Sequence, residues 1–204
     1  MNDLYTAVMH DVKNQLAELA LRLKKRGDAR CEMGIALNAS RRISEMLLLS
    51  REEDAQLWVN PDTVNPADFL EMLVAEYTEL FPAINLTLDT ARASLCVFFD
   101  EALVRMALGN ALHNACRFAR SGVRLAAFEQ NGMLILEVSD DGPGYPEKVL
   151  GSGGKLPLAV SGTGTGLGLY LAYKIADMHR LNDIHGHIEL SNCVSGGQFR
   201  MILP

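Results

Sequence analysis

His10 is followed directly by Asp11 and, four residues on, by Asn14. On a helix, this trio suits nucleophilic work: the carboxylate orients the imidazole and accepts its proton while the other ring nitrogen attacks. Leu4, Val8, Val12, Leu16, Leu19 and Leu23 recur at helical spacing and form one apolar stripe. At 100° per residue that stripe centres about 170° from His10, which therefore faces solvent, with Asn14 within about 40° of it. A solvated polar face carrying an incidental histidine would have the same pattern.

Three further groups lie downstream. Asn110, Asn114 and Arg117 stand at i, i+4 and i+7, so one helical face carries two amides and a guanidinium able to serve Mg²⁺ and phosphate oxygens. Leu103, Ala107, Ala111 and Ala115 on the same helix simply pack. The run Val138-Ser139-Asp140-Asp141-Gly142-Pro143-Gly144 puts an acid at a strand end that opens into a glycine turn. Such a carboxylate can accept a hydrogen bond from an exocyclic amine, and glycines let a flat base approach the backbone; a plain acidic turn would read the same way. Finally, Gly162, Gly164, Gly166 and Gly168 precede or open a helix, where free N–H groups favour phosphate. This run is neither a P-loop, since no Gly-Lys-Ser/Thr follows, nor a Rossmann turn, since no strand immediately precedes it.

The elements that must carry these groups fall into two sets. Gly27-Asp28 ends the first helical pattern, and a second runs over 29–54 through Met33, Leu37, Ile43 and Leu47–Leu49. So short a join makes an antiparallel hairpin, and its unpartnered apolar stripe calls for a second copy, as in a homodimeric four-helix bundle. Pro61, Pro66 and the polar residues around them mark a connector, with a boundary near residue 56: a hairpin at 1–55 and a second domain at 56–204. There the patterns predict helices at 67–80, 101–119 and 167–179, and strands near 84–90, 94–99, 123–129, 133–139, 187–192 and 197–203, paired mostly as hairpins. Asn131-Gly132 is a hairpin turn. The expectation is an α+β sandwich.

Composition narrows the class. The 204 residues are 49% apolar and 22% charged, an ordinary globular balance. No stretch has the length or apolarity of a membrane span, and the N-terminus lacks a signal-peptide layout. A net charge of -6 excludes a sequence-independent nucleic-acid binder. Cys31, Cys96, Cys116 and Cys193 are scattered, which reads as buried free thiols in a reducing cytoplasm. His113, His179, His185 and His187 lack metal-ligand spacing and read as structural or surface residues.

Taken in order, the four groups resemble one family, the two-component sensor histidine kinases. His10 to Leu16 resembles its H box, Asn110 to Phe118 its N box, Asp140 to Gly144 its G1 box and Gly162 to Leu169 its G2 box. The resemblance spans nearly the whole chain and implies a dimerisation and phosphotransfer hairpin followed by a Bergerat-type ATP-binding domain of the kind shared with gyrase and Hsp90. It implies His10 as phosphoacceptor, Asp11 as its acid/base partner, and Asn14 as the residue orienting water during dephosphorylation of a partner. It further implies Mg²⁺ at Asn114 with Asn110 in support, Arg117 on phosphates, Asp140 on the adenine amino group, and Gly142, Gly144, Gly164, Gly166 and Gly168 shaping the nucleotide pocket. In the ATP-hydrolysing branches a Glu that activates water occupies the place of Asn110, so transfer to a side chain is favoured over hydrolysis.

The sequence departs from the family in three places: the 145–161 lid is short and lacks paired phenylalanines, Asp141 replaces a more usual Asn, and Arg180 to His185 are extra. The expected activity is a cytoplasmic, homodimeric ATP·Mg²⁺-dependent histidine kinase serving a response-regulator receiver domain, controlled through a separate sensor protein if the chain stands alone. The alternatives are a phosphotransfer protein that uses no ATP and a serine kinase of the anti-sigma type.

Overall fold

The computed structural model describes residues 58–156 and 167–204, together with positions 12, 14, 16, 18, 19, 21–23, 36, 39, 43 and 46. The chain divides into two compact units, Met1–Trp58 and Val59–Pro204. Every described position of the first unit before Trp58 is helical. Glu18 and Arg22 form an exposed ion pair one turn apart, worth a few tenths of a kcal/mol to a helix. Two residues of the expected stripe, Val12 and Leu19, are 38% and 46% exposed. The turn at Gly27-Asp28 lies outside the described residues, as do most positions of the expected hairpin.

The second unit is built on a mixed five-stranded sheet. Its elements are β1 (Asp62–Val64), α1 (Pro66–Leu80), β2 (Asn85–Arg92), β3 (Val97–Phe99), α2 (Glu101–Phe118), β4 (Gly122–Gln130), β5 (Met133–Asp140), α3 (Glu147–Ser152), α4 (Leu167–Met178), β6 (Arg180–Leu181), β7 (Ile184–His185), β8 (His187–Asn192) and β9 (Gly197–Leu203). The sheet order is β2-β4-β5-β9-β8. Leu125 opposes Val138, Leu136 opposes Met201 and Val138 opposes Phe199, so one face is continuously apolar. Against it pack α1, α2 and α4, burying Phe69, Leu70, Leu108, Leu112, Leu171 and Ile175. Fully burying one such side chain stabilises the fold by about 1.5–3 kcal/mol before entropy is counted.

Helix starts follow local chemistry. Asn65 caps α1 by accepting from Ala67 N at 2.9 Å, with Pro66 in the first turn where its missing N–H costs nothing. Asp100 caps α2 through Leu103 N at 3.0 Å. Its own backbone N–H donates to His179 Nε2 at 3.1 Å, tying the start of α2 to the end of α4.

The pairing departs from the sequence expectation. β2 runs parallel to β4, not in a hairpin, and β3 leaves the main sheet to pair with β1, a strand the sequence pattern did not suggest. The extra segment forms a small hairpin, β6 with β7, and the lid segment contains α3. Two thiols also differ from expectation: Cys96 and Cys193 are exposed because both sit in loops outside the packed helices and strands, whereas Cys116 is buried on α2.

Candidate functional site

α2 buries one long face through Leu103, Val104, Ala107, Leu108, Ala111, Leu112, Ala115 and Cys116. The small residues among these let α4 pack closely, and at this contact lies Asn110, only 3% exposed. Neither its Nδ2 nor its Oδ1 has a hydrogen-bond partner among the described residues. A buried amide in that condition is costly, so it marks a place where a ligand or water belongs. Gly168, at the start of α4, faces it: a methyl there would touch Asn110 Cβ at 3.4 Å and Nδ2 at 3.6 Å. One turn along α2, Asn114 is half-buried, and Arg117 is exposed with its guanidinium 5.4 Å from the Phe118 ring centroid.

The end of β5 closes against the end of α2. Gly142 N donates to Asp140 Oδ1 at 2.7 Å, and Gly197 N approaches the same oxygen at 3.4 Å. A methyl at Gly142 would lie 2.5 Å from the Phe118 carbonyl oxygen, so only glycine allows this approach. Gly144 has φ +78, and its amide plane is followed by a two-point clamp: Tyr145 N donates to Asn192 Oδ1 at 2.7 Å, and Asn192 Nδ2 donates to Tyr145 O at 2.9 Å. The Tyr145 ring lies against Gly197, where a methyl would meet it at 3.3 Å and Asp140 Oδ2 at 2.9 Å.

Electrostatics place two more groups beside Asp140. Burial, reinforced by the Asp140 charge, pushes the Cys116 thiol up to about 12, so it stays protonated and unreactive. Burial first and then the same charge also push the Tyr145 phenol upward. Asp141 differs from its neighbour. Its carboxylate accepts from Arg120 N at 2.7 Å and from Ser121 Oγ at 2.6 Å. The Ser121 hydroxyl and backbone amides hold it well below the usual carboxylate range.

Of the residues singled out by sequence, Asn110 and Gly168 meet, and Asp140, Gly142 and Gly144 share one turn that touches the end of α2. Asn14 is helical and exposed in the first unit. His10, Asp11, Gly164 and Gly166 lie outside the described residues. Gly197, Tyr145 and Cys116 lie beside Asp140, and Asn192 holds Tyr145, none of which the sequence pattern suggested. A polar stretch ending in two glycines, Ser191 to Gly197, is the sequence feature that would have pointed to Asn192 and Gly197. The other histidines have structural settings: His113 meets Phe81 edge-on at 5.3 Å, His179 is buried, and His185 Nδ1 lies 3.0 Å from Asp177.

Among the described residues no group of three or more His, Cys, Asp or Glu could hold a metal ion, and no helix is long and apolar enough to cross a membrane.

The family model described as Histidine kinase-, DNA gyrase B-, and HSP90-like ATPase matches residues 99–204. The chain is 27% identical over 201 residues to the sensor histidine kinase GtrS of Pseudomonas aeruginosa, covering 95% of this chain and 40% of that one. It is 28% identical over 174 residues to the adaptive-response sensory kinase SasA of Synechocystis, covering 80% and 44%. The chain thus spans less than half the length of these two relatives. The fold matches the Acinetobacter baumannii histidine kinase AdeS with a TM-score of 0.65 at 19% identity, over 93% of this chain and 95% of that one. It matches the catalytic domain of histidine kinase ThkA with a TM-score of 0.62 at 21% identity, over 71% and 97%. The chain belongs to the histidine kinase-, DNA gyrase B- and HSP90-like ATPase family, and its second unit carries the ATP-binding core of a two-component histidine kinase.

Proposed function

We propose that this chain is a protein-histidine kinase in which the His10 imidazole takes the γ-phosphate of ATP and passes it to an aspartate of a response-regulator receiver domain. The observation that carries the nucleotide half of this reading is Asn110, a fully buried amide with both polar atoms unpartnered among the described residues, one turn from Asn114 on a face that meets α4. That amide, the half-buried Asn114 and the glycine turn against Asp140 fit an ATP·Mg²⁺ pair. Asn114 would hold the cation through its carbonyl oxygen, Asn110 would support it, and the phosphates would supply the remaining oxygens, as suits Mg²⁺. Arg117 would contact phosphate oxygens, and Asp140 would accept a hydrogen bond from the adenine amine within the pocket shaped by Gly142, Gly144, Gly164, Gly166 and Gly168. When bound, Mg²⁺ supplies charge neutralisation on the phosphates.

In the transfer, a nitrogen of the His10 ring forms a bond to the γ-phosphorus as the bond to the bridging oxygen breaks and ADP leaves, while Asp11 receives the ring proton. With an amide at 110 where a hydrolase would use a carboxylate, nothing on α2 at that place activates water, which favours the imidazole as acceptor. Asn14, one turn from His10, would orient water against the phosphoaspartate of a docked regulator, giving a phosphatase activity. The partly exposed stripe residues Val12 and Leu19 support a homodimer through the 1–55 hairpin, with 56–204 as the catalytic domain. A cytoplasmic location and a sensor, in the same or a separate protein, complete the reading.

Incubation with γ-labelled ATP and Mg²⁺, followed by mapping of the labelled residue, tests it. Label on His10 that is absent in His10→Gln, with ATP binding retained, is the expected result. Phosphate accepted at His10 only from another phosphoprotein, with no ATP bound, would replace it with the ATP-independent phosphotransfer reading. In the same system Asn14→Ala should slow dephosphorylation of the regulator while leaving His10 phosphorylation intact.

A further inference from the structure

Asp140 and Asp141 are adjacent acids at the end of β5, and their side chains do different things. Asp140 Oδ1 faces its own turn through Gly142 N and the β8–β9 turn through Gly197 N. Asp141 reaches instead to the connection between α2 and β4. There its carboxylate gathers Arg120 N at 2.7 Å, Ser121 N at 3.0 Å and Ser121 Oγ at 2.6 Å, and its backbone N–H donates to Gly122 O at 3.2 Å. We propose that Asp141 is a positioning residue for nucleotide-base recognition: it locks the end of α2 to the turn that aims Asp140. The proposal rests on the reading of Asp140 as the adenine-recognising carboxylate.

Gly142 links the two acids. Its Cα lies so close to the Phe118 carbonyl that a methyl would sit 2.5 Å from that oxygen, while its N–H holds Asp140 Oδ1. Any displacement of the connection after Phe118 is therefore passed to Gly142 and from there to Asp140. Three donors converge on the Asp141 carboxylate, and hydrogen bonds to a charged acceptor are about twice as strong as neutral ones. An asparagine here would keep one acceptor oxygen for the backbone N–H groups, and its NH₂ could donate to Ser121 Oγ, so much of the clamp would survive. Alanine removes every side-chain bond and leaves only the backbone N–H to Gly122 O.

Base discrimination is the readout that separates positioning from bulk stability. Adenine offers an amine where guanine offers a carbonyl oxygen, which a carboxylate repels, so a correctly aimed Asp140 favours ATP over GTP. The full chain and its Asp141→Ala, Asp141→Asn and Ser121→Ala variants are titrated calorimetrically with ATP and with GTP, each in Mg²⁺, with thermal melting run alongside. For Asp141→Ala we expect ATP affinity to fall about tenfold while GTP changes by less than about threefold, so that the preference shrinks. Asp141→Asn should stay within about threefold of wild type, and Ser121→Ala should reduce the preference by about threefold. An unchanged ATP-to-GTP ratio in Asp141→Ala, whatever its melting temperature, overturns the inference. If that variant does not fold, an unchanged ratio in Ser121→Ala does so. Failure of the wild-type chain to bind ATP at all would instead overturn the nucleotide reading on which the inference stands.

Discussion

Asn110 and Gly168 meet where α2 packs against α4, the glycine leaving just the room that a methyl would take at 3.4 Å from Asn110 Cβ. The amide is buried, yet neither of its polar atoms is bonded among the described residues. Asn110→Ala should therefore change the stability of the nucleotide-free protein by only about 1 kcal/mol or less, while reducing the melting-temperature rise caused by ATP·Mg²⁺. Thermal melts with and without nucleotide check both parts. A loss of several kcal/mol in the free protein would show that the amide is already bonded there.

Gly142→Ala should damage both folding and binding. Its methyl would fall 2.5 Å from the Phe118 carbonyl oxygen and 2.7 Å from Asp140 Oδ1, so backbone must move. The expected cost is about 1–3 kcal/mol in a denaturant melt, with weakened ATP affinity in the same preparation. Wild-type behaviour on both measures would mean that the close approach does not exist in solution.

His179 gives the fold a defined acid sensitivity. Its Nδ1–H donates to Ile175 O at 2.7 Å, which leaves Nε2 to accept from Asp100 N. Protonation would set two donors face to face, and burial lowers the pKa despite the opposing influence of Ile175 O and Asp100. Because the folded-state value lies below the unfolded one, the unfolded chain binds the proton first as pH falls. Stability should be full above about 6.5, the unperturbed histidine value, and decline below it until the folded form also protonates. Melting temperatures across pH 7.5 to 5 should show this slope in wild type and a shallower one in His179→Gln.

On the sheet face opposite the helices, Glu137 is buried between two arginines. Arg124 Nη1 lies 3.0 Å from its Oε1, and Arg200 Nε lies 2.8 Å from its Oε2. Either arginine can partly serve the carboxylate when the other is removed, but loss of both strands a buried charge. Arg124→Ala and Arg200→Ala should each cost about 1–2 kcal/mol, and the double variant about 1 kcal/mol more than their sum. Additive urea midpoints would contradict a shared network.

Much of the second unit was legible in the sequence because its elements are locally consistent. Leu103, Ala107, Ala111 and Ala115 mark the packed face of a helix observed from Glu101 to Phe118. Asn131 and Gly132, both at positive φ, make the turn that joins β4 to β5. The acid at the end of β5 and its glycine turn were equally visible, since strand ends and tight turns depend on nearby residues.

Local residue patterns therefore specify the kind of elements and the residue types at the candidate site: two amides on one helix face, an acid before a glycine turn, a glycine opening a helix. Which of these groups meet is a matter of long-range packing. The parallel pairing of β2 with β4 and the pairing of β3 with β1 are long-range choices that alternation along one strand cannot encode. Asn192 clamps Tyr145 across 47 positions, and Asp141 grips Arg120 and Ser121 some 20 positions earlier, because the sheet and α2 bring distant turns together. A local pattern specifies periodicity and turn chemistry; contacts between turns exist only once the core has closed, so the division of labour between Asp140 and Asp141 was set by packing.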